Sequence, residues 1–188
     1  MKKSLKVLAL LAGTVFASAT ANAVVLPSSA GPLDTGTSFS TVFNGTGGSN
    51  TISFDLLGYY SLDGVNCCTD TFHLSLNGTE IFSGSYNLGG GGSNLTYIDS
   101  IGSVITGLSN APWDGNFKNG TITISGLLTL LSGSNTLTFA YDPGQGLGDE
   151  GWGVNNLNVS SVPVPPAALL LGTGLLGLAG LRRKAKKA

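Results

Sequence analysis

The stretch Thr71-Phe-His-Leu-Ser-Leu-Asn-Gly-Thr-Glu-Ile-Phe-Ser83 carries the pattern that decides the fold. Apolar residues alternate with polar ones up to Leu76, which is the period of a strand with one buried face. Asn77-Gly78 follows, and this pair tolerates the positive φ angles of a tight turn. The stretch therefore predicts a β-hairpin made of residues 71–76 and 79–83.

The same period of two recurs on both sides of this hairpin, and between positions 24 and 161 Pro or Gly interrupts every helical stripe. We therefore predict an all-β fold, an antiparallel β-sandwich of about eight strands of the jelly-roll type. The last strand, 152–159, changes phase and predicts a bulge near Asn155-Asn156. Asn44-Gly45 and Asn119-Gly120 also have turn composition, and Gly89–Gly92 has the composition of a flexible loop. The positions predicted to face the core are Ile52, Phe54, Leu56, Phe72, Leu74, Leu76, Ile122, Ile124, Leu137, Phe139, Tyr141 and Trp152.

Charge is divided among three segments of the chain, although the formal net charge is only −1. Eight of the 9 Lys+Arg residues lie within the first six and the last seven positions, and only Lys118 lies between them. All 10 Asp+Glu residues, from Asp34 to Glu150, lie in that interior. A segment so poor in Lys and Arg cannot neutralise a phosphate backbone, which excludes a nucleic-acid partner.

Residues 1–23 have the three-part plan of a secretory signal peptide. Three lysines precede an apolar run at 7–17, and Ala21-Asn22-Ala23 is a small-x-small cleavage site. The run is shorter than the roughly 20 residues that a membrane span needs. We predict cleavage after Ala23 and one exported domain at 24–161.

The last segment, 162–188, has a Pro-rich entry, an apolar stretch and a basic stop. It opens with Val162-Pro163-Val164-Pro165, and Arg182-Arg183-Lys184 begin the basic stop. The apolar stretch 167–181 would measure about 22 Å as a helix, against a hydrocarbon core of about 30 Å. The basic end would stay cytoplasmic, so the segment predicts a membrane helix that leaves the body outside.

This tripartite end resembles the PEP-CTERM family of bacterial sorting signals, in its VPxPA-type variant. Val164 stands where the family name implies Glu. The resemblance implies that an exosortase, a membrane transpeptidase-like enzyme, recognises and cuts segment 162–188. It also implies an inner-membrane-anchored intermediate that passes to the cell surface or the extracellular polysaccharide matrix.

The stretch Asp149-Glu-Gly-Trp-Gly-Val-Asn-Asn-Leu-Asn-Val159 resembles the closing strand of jelly-roll modules in exported bacterial proteins. Those modules often carry the pattern D-E-x-W-x-[IV]-D-N-[VIL]. Asn155 stands where Asp is common, which removes one carboxylate from any calcium site built on this strand.

Catalytic patterns are weak in this chain, and we expect a protein that is not an enzyme. The one histidine, His73, lies at an outward position of a strand, and no G-x-S-x-G elbow occurs. Glycoside hydrolysis needs two carboxylates about 5 to 10 Å apart, and the sequence marks no such pair.

Cys67 and Cys68 are adjacent in a loop. In an exported protein two cysteines normally pair, but neighbouring Cα atoms lie about 3.8 Å apart, below the usual minimum of about 4.4 Å for a disulfide. A strained vicinal disulfide and a free or intermolecularly paired couple are the two alternatives.

Two acidic loops offer oxygen ligands for calcium. Asp63 and Asp70 lie in the first, and Asp149 and Glu150 in the second. Calcium takes 6 to 8 oxygens from carboxylates and carbonyls. The alternative is that these aspartates merely form turns. No other cofactor is indicated.

Trp113, in Pro-Trp-Asp-Gly, is a candidate platform for a sugar ring. The sequence as a whole predicts a structural or adhesive protein of the cell surface or biofilm matrix. Its partners would be an exosortase, the membrane before processing and extracellular polysaccharide. A carbohydrate-binding module, stabilised by calcium, is the alternative, and a hydrolase is a weaker one.

Overall fold

A computed structural model describes residues 23–24, 26–27, 29–110 and 120–162 of the chain. These residues lie within one compact unit, Ala21–Val162. They form nine strands and no helix, and all pairing between the strands is antiparallel, which confirms the predicted all-β antiparallel fold. The strands are β1 (Ala23–Val24), β2 (Ser29–Asp34), β3 (Ser38–Tyr60), β4 (Phe72–Leu76), β5 (Thr79–Ser85), β6 (Leu95–Asp99), β7 (Val104–Ser109), β8 (Gly120–Tyr141) and β9 (Glu150–Ser161).

The two longest strands, β3 and β8, form a ribbon that organises the sheet. They pair without a register shift from Ser38↔Ala140 to Gly58↔Gly120. The strand order is β1-β9-β3-β8-β4-β5-β6, with β2 also on β9 and β7 also on β8. The second half of β3 pairs with β9, and the second half of β8 pairs with β4. The two ends of the ribbon therefore have different neighbours.

The sheet curls around a shared interior. Strands β9 and β4 are three steps apart in the strand order, which would be about 14 Å in a flat sheet. The ring centroids of Trp152 and Phe72 nevertheless lie 6.5 Å apart. Burial of these rings and of the branched side chains around them supplies the main stabilising term. Every position predicted to face the core is buried, from Ile52 in β3 to Trp152 in β9.

Two local predictions are confirmed. The turn of the β4–β5 hairpin is Asn77-Gly78, with φ angles of 53° and 80°. A register shift between β3 and β9 lies opposite Ser53 and Asp55, and Asn156 at this point has a φ of 51°. This is the bulge that the phase change of the last strand predicts, and it returns Leu157 to the core.

The turn predicted at Asn44-Gly45 is wrong. Both residues lie inside β3, where Gly45 pairs with Gly133. Pairing with β8 satisfies the backbone here, so the strand continues past a pair that could have turned. Glycine is needed at position 45 because a Cβ would lie 2.8 Å from Nδ2 of the buried Asn135. The other predicted turn, at Asn119, lies outside the described residues.

The glycine-rich loop 86–94 is pinned, whereas its composition predicts a flexible segment. The N–H of Gly64 donates to Gly91 O at 2.7 Å, and the N–H of Val65 donates to Ser93 O at 2.7 Å. The N–H of Leu88 donates to Leu62 O at 3.1 Å. Loop 86–94 is therefore held by backbone hydrogen bonds against the loop that follows β3, residues 61–71.

Candidate functional site

Two acidic loops meet at one end of the sheet. Loop 61–71 joins β3 to β4, and loop 142–149 joins β8 to β9. The strand ends pair as Tyr60↔Glu150 and Phe72↔Tyr141. Long-range pairing therefore brings together two loops that are about 80 positions apart in the chain.

Asp63, Asp70 and Glu150 converge between these loops, with one oxygen of each within 4.8 Å of the others. The side chains of Asp70 and Glu150 are only 5% and 2% exposed, and Asp63 is half-buried. Three of the four residues predicted as calcium ligands thus lie close together.

Loop 61–71 is closed by Asp70. Its Oδ2 accepts a hydrogen bond from the backbone N–H of Asp63 at 2.7 Å. The Oδ1 of Asp63 accepts from Nδ2 of Asn66 at 2.8 Å. These bonds fix two carboxylates in position before any ligand arrives.

Glu150 is held by loop 142–149. The N–H of Gln145 donates to Oε2 of Glu150 at 2.6 Å, and Nε2 of Gln145 donates to Oε1 at 3.2 Å. A Cβ at Gly144 would collide with Oε2 of Glu150 and lie 2.8 Å from Oγ1 of Thr35. The carboxylate of Glu150 can therefore occupy this position only because residue 144 is glycine.

The cluster is electrostatically strained. Burial raises the pKa of Asp70 to about 6, and the negative charges of Glu150, Asp63 and Asp149 add to the rise. The hydrogen bond from the Asp63 backbone opposes it. No lysine or arginine occurs among the residues that the structure describes, so no basic side chain there offsets these charges.

Asp149 does not join the cluster with its carboxylate. Its backbone oxygen accepts hydrogen bonds from the N–H and the hydroxyl of Ser61, both at 3.0 Å. Its exposed side chain lines a cleft of about 320 Å³ together with Tyr60, Ser61, Gly89 and Gly148. Sequence patterns gave no signal for this cleft, because its walls come from three separate parts of the chain.

Tyr141 brings an unexpected polar group to the interior. Its side chain is 3% exposed, and its hydroxyl has no hydrogen-bond partner. Burial raises its pKa well above the ordinary value, and the charge of Asp70 contributes to the rise. The strand pattern predicts an inward ring at position 141, but it cannot show that the hydroxyl lacks a partner.

His73 faces outward, as its strand position predicts, but it is half-buried. Its Nδ1 lies 2.5 Å from Oε1 of Glu80. Its Nε2 lies 3.2 Å from Oδ1 of Asp142, without the geometry of a hydrogen bond. The ring of His73 thus links the β4–β5 hairpin to loop 142–149. These contacts give His73 a structural role.

Cys67 and Cys68 are exposed free thiols at the tip of loop 61–71, with their Sγ atoms 2.9 Å apart. The hydrogen bond with Cys67 raises the pKa of Cys68, followed by the charge of Cys67 and smaller contributions that include Asp63 and Asp70. The pair therefore lies close enough to the acidic cluster to be influenced by its charge.

Several predicted site residues lie outside the described residues. They are the cleavage residue Ala21, the sugar candidate Trp113, the sorting residues Pro163, Val164 and Pro165, and the basic residues Arg182, Arg183 and Lys184. Two others lie at the edge of the sheet. Ala23 pairs with Ser160, and the N–H of Val162 donates to Ser49 O at 3.2 Å. In the described part of the chain, no helix is long and apolar enough to cross a membrane.

Comparison of the chain with protein-family models, with curated proteins and with solved structures finds no match.

Proposed function

We propose that this chain is an exported, non-enzymatic bacterial protein with a structural or adhesive role at the cell surface or in the polysaccharide matrix of biofilms. The observation that carries the proposal is the division of charge. Eight of the 9 Lys+Arg residues lie at the two ends, which suits export and stop signals, and the acidic interior suits a secreted body.

The body's edges support this division. Sheet pairing begins at Ala23–Val24 and ends with the hydrogen bond of Val162. The predicted signal-peptide cleavage lies after Ala23, and the Pro-containing motif begins at Val162. Processing at both ends would therefore leave the sheet almost complete.

The finer architecture that we propose is a jelly-roll-like β-sandwich. The two ends of the β3–β8 ribbon pair with different neighbours, as they would in two facing layers. Ring contacts between Trp152 and Phe72, and between Phe54 and Phe72, join strands that do not pair with each other. Such contacts are those of two inner faces that share a core.

Sorting by an exosortase is tested by fractionation of cells that express the full chain, with mass spectrometry of the C-terminus. We expect the protein in the surface or matrix fraction without its basic tail. Replacing Arg182-Arg183-Lys184 by glutamines should block processing, whereas Lys186→Gln with Lys187→Gln is the matched control. An intact tail in the inner membrane of wild-type cells would contradict the proposal.

A carbohydrate-binding module is the second candidate, and the cleft beside Asp149 favours it. A half-exposed aromatic ring, a hydroxyl and a carboxylate, from Tyr60, Ser61 and Asp149, line the same cavity. Sugar sites combine these groups. Tyr60 has a φ of 66°, a backbone conformation that is uncommon for residues other than Gly and Asn.

Glycan-array binding by the full chain tests this candidate. We expect Tyr60→Asn, which tolerates the positive φ, and Trp113→Ala to weaken binding. Tyr97→Asn removes a tyrosine that is 47% exposed on β6 and serves as the matched control. Uniform non-binding by the wild type would leave only the structural role.

A further inference from the structure

Three carboxylates are arranged as the ligands of a single ion would be. Asp63, Asp70 and Glu150 each place one oxygen within 4.8 Å of the others. Oxygens bound to one calcium ion lie about 2.4 Å from it, so any two of them are at most about 4.8 Å apart. The separations of these oxygens are therefore compatible with one shared ion.

Charge balance requires either a proton or a cation at this place. An ionised carboxylate that is buried without a positive partner costs free energy, so such a group takes up a proton instead. No lysine or arginine is found in the described ranges, and His73 faces Glu80 and Asp142. A proton or an external cation must therefore supply the missing positive charge.

The hydroxyl of Tyr141 is an independent sign of a missing ligand. It is buried and unpaired. The ring centroid of Tyr141 lies 5.6 Å from those of Phe72 and Trp152, which are each two positions from a cluster residue, Asp70 or Glu150. Buried hydroxyls almost always have a partner in the protein or in bound solvent. A cation, or a water that the cation holds, would give this hydroxyl its partner.

We propose that Asp63, Asp70 and Glu150 bind one calcium ion, with the hydroxyl of Tyr141 contacting the ion or its water. All three charged ligands are hard oxygens, which suit calcium and magnesium rather than zinc or copper. Calcium accepts irregular sites of 6 to 8 oxygens, whereas magnesium demands near-octahedral geometry. Ligands that come from a loop and from the first residue of β9 fit the more tolerant ion.

The ion would link loop 61–71 to the start of β9 and hold the end of the sheet closed. This inference goes beyond the proposed structural role and does not rest on it. Sorting is tested by fractionation alone, so failure of either idea leaves the other standing.

The test is calorimetric titration of the full chain, purified in detergent, with calcium and with magnesium, together with melting curves in calcium or chelator. We expect one calcium per chain and a rise in Tm of about 5 °C at saturation. Asp70→Asn and Glu150→Gln should weaken calcium binding by at least about ten-fold. Asp99→Asn also removes one negative charge, from β6, and should keep the wild-type response.

Asp70→Asn carries a second readout, because removal of one repelling charge should raise Tm in chelator while the calcium response disappears. If Asp70→Asn does not fold, Asp63→Asn, at a half-buried position, replaces it with the same expectation. No calcium response in the wild type, an equal response to magnesium, or an undiminished response in these variants would each overturn the proposal.

Discussion

Asp70 accepts a hydrogen bond from the backbone N–H of Asp63 at 2.7 Å, and this bond closes the loop that carries both cysteines. The bond favours an ionised Asp70, whereas burial and the neighbouring carboxylates favour the protonated form. The outcome of this competition is a carboxyl group whose pKa is raised to about 6.

Stability should therefore depend on pH through Asp70. A carboxyl pKa that is higher in the folded state means that the folded state binds the proton more tightly, so stability is lost as pH rises through the folded value. In chelator, we expect the wild type to lose about 2 kcal/mol relative to Asp70→Asn between about pH 4 and about pH 7. Urea denaturation at several pH values measures this difference, and a difference independent of pH would contradict it.

Gly144→Ala should destabilise the folded chain, because the new Cβ collides with Oε2 of Glu150. We expect a loss of about 1 to 3 kcal/mol in the free energy of unfolding. Gly148→Ala is the matched control in the same loop, since a Cβ there meets nothing within 4 Å. Denaturant unfolding of both variants checks the prediction, and equal effects would show that the position of Glu150 does not matter.

Tyr141→Phe should stabilise the chain in chelator, by up to about 1 kcal/mol, because it removes a buried hydroxyl that has no partner. The control is Tyr86→Phe at an equally buried tyrosine, whose hydroxyl lies 2.7 Å from Oγ1 of Thr96. That variant loses a hydrogen bond and should be destabilised. Thermal melts of the two variants should therefore shift in opposite directions, and shifts in the same direction would count against the unpaired hydroxyl.

Cys67→Ala should speed the alkylation of Cys68. The hydrogen bond with Cys67 and the charge of Cys67 are the largest causes of the raised pKa of Cys68, and the thiolate is the reactive form. Iodoacetamide labelling near neutral pH, followed by mass spectrometry, measures the rate. The unfolded chains serve as the control, since there both versions should react alike. Absence of any free thiol in the unreduced wild type would instead indicate the vicinal disulfide.

Asn156→Ala should weaken the bulge in β9. Asn156 has a φ of 51°, and its Nδ2 donates to Oδ2 of Asp55 at 2.6 Å. We expect a loss of about 1 to 2 kcal/mol from backbone strain and the lost charge-assisted bond. Asn156→Gly should lose less, because glycine tolerates this φ. Asn158→Ala, at an exposed position of the same strand, is the control for denaturant unfolding.

The sequence predicts local structure well where the alternation within one strand, or the composition of one turn, is enough to define the element. Alternation identified the buried faces of β3, β4 and β8, and Asn77-Gly78 identified the hairpin, because these signals act over a few residues. The turn predicted at Asn44-Gly45 is wrong because cross-strand pairing with β8, a long-range interaction, satisfies the backbone of that pair.

The candidate site was predictable only as separate acidic loops. The sequence predicted Asp63, Asp70 and Glu150 as oxygen ligands, but it predicted Asp149 as a ligand on the same grounds. Only the structure turns the Asp149 side chain outward to the cleft and adds Tyr141 to the interior.

By itself, the sequence determined the all-β class, the faces of the strands, the bulge in β9 and the acidic charge of the body, since each depends on residue type and short spacing. The tertiary structure decided that β3 pairs with both β8 and β9, and hence that two distant loops share one end of the sheet. The convergence of three carboxylates within 4.8 Å of one another follows from that pairing, because no local rule relates position 63 to position 150.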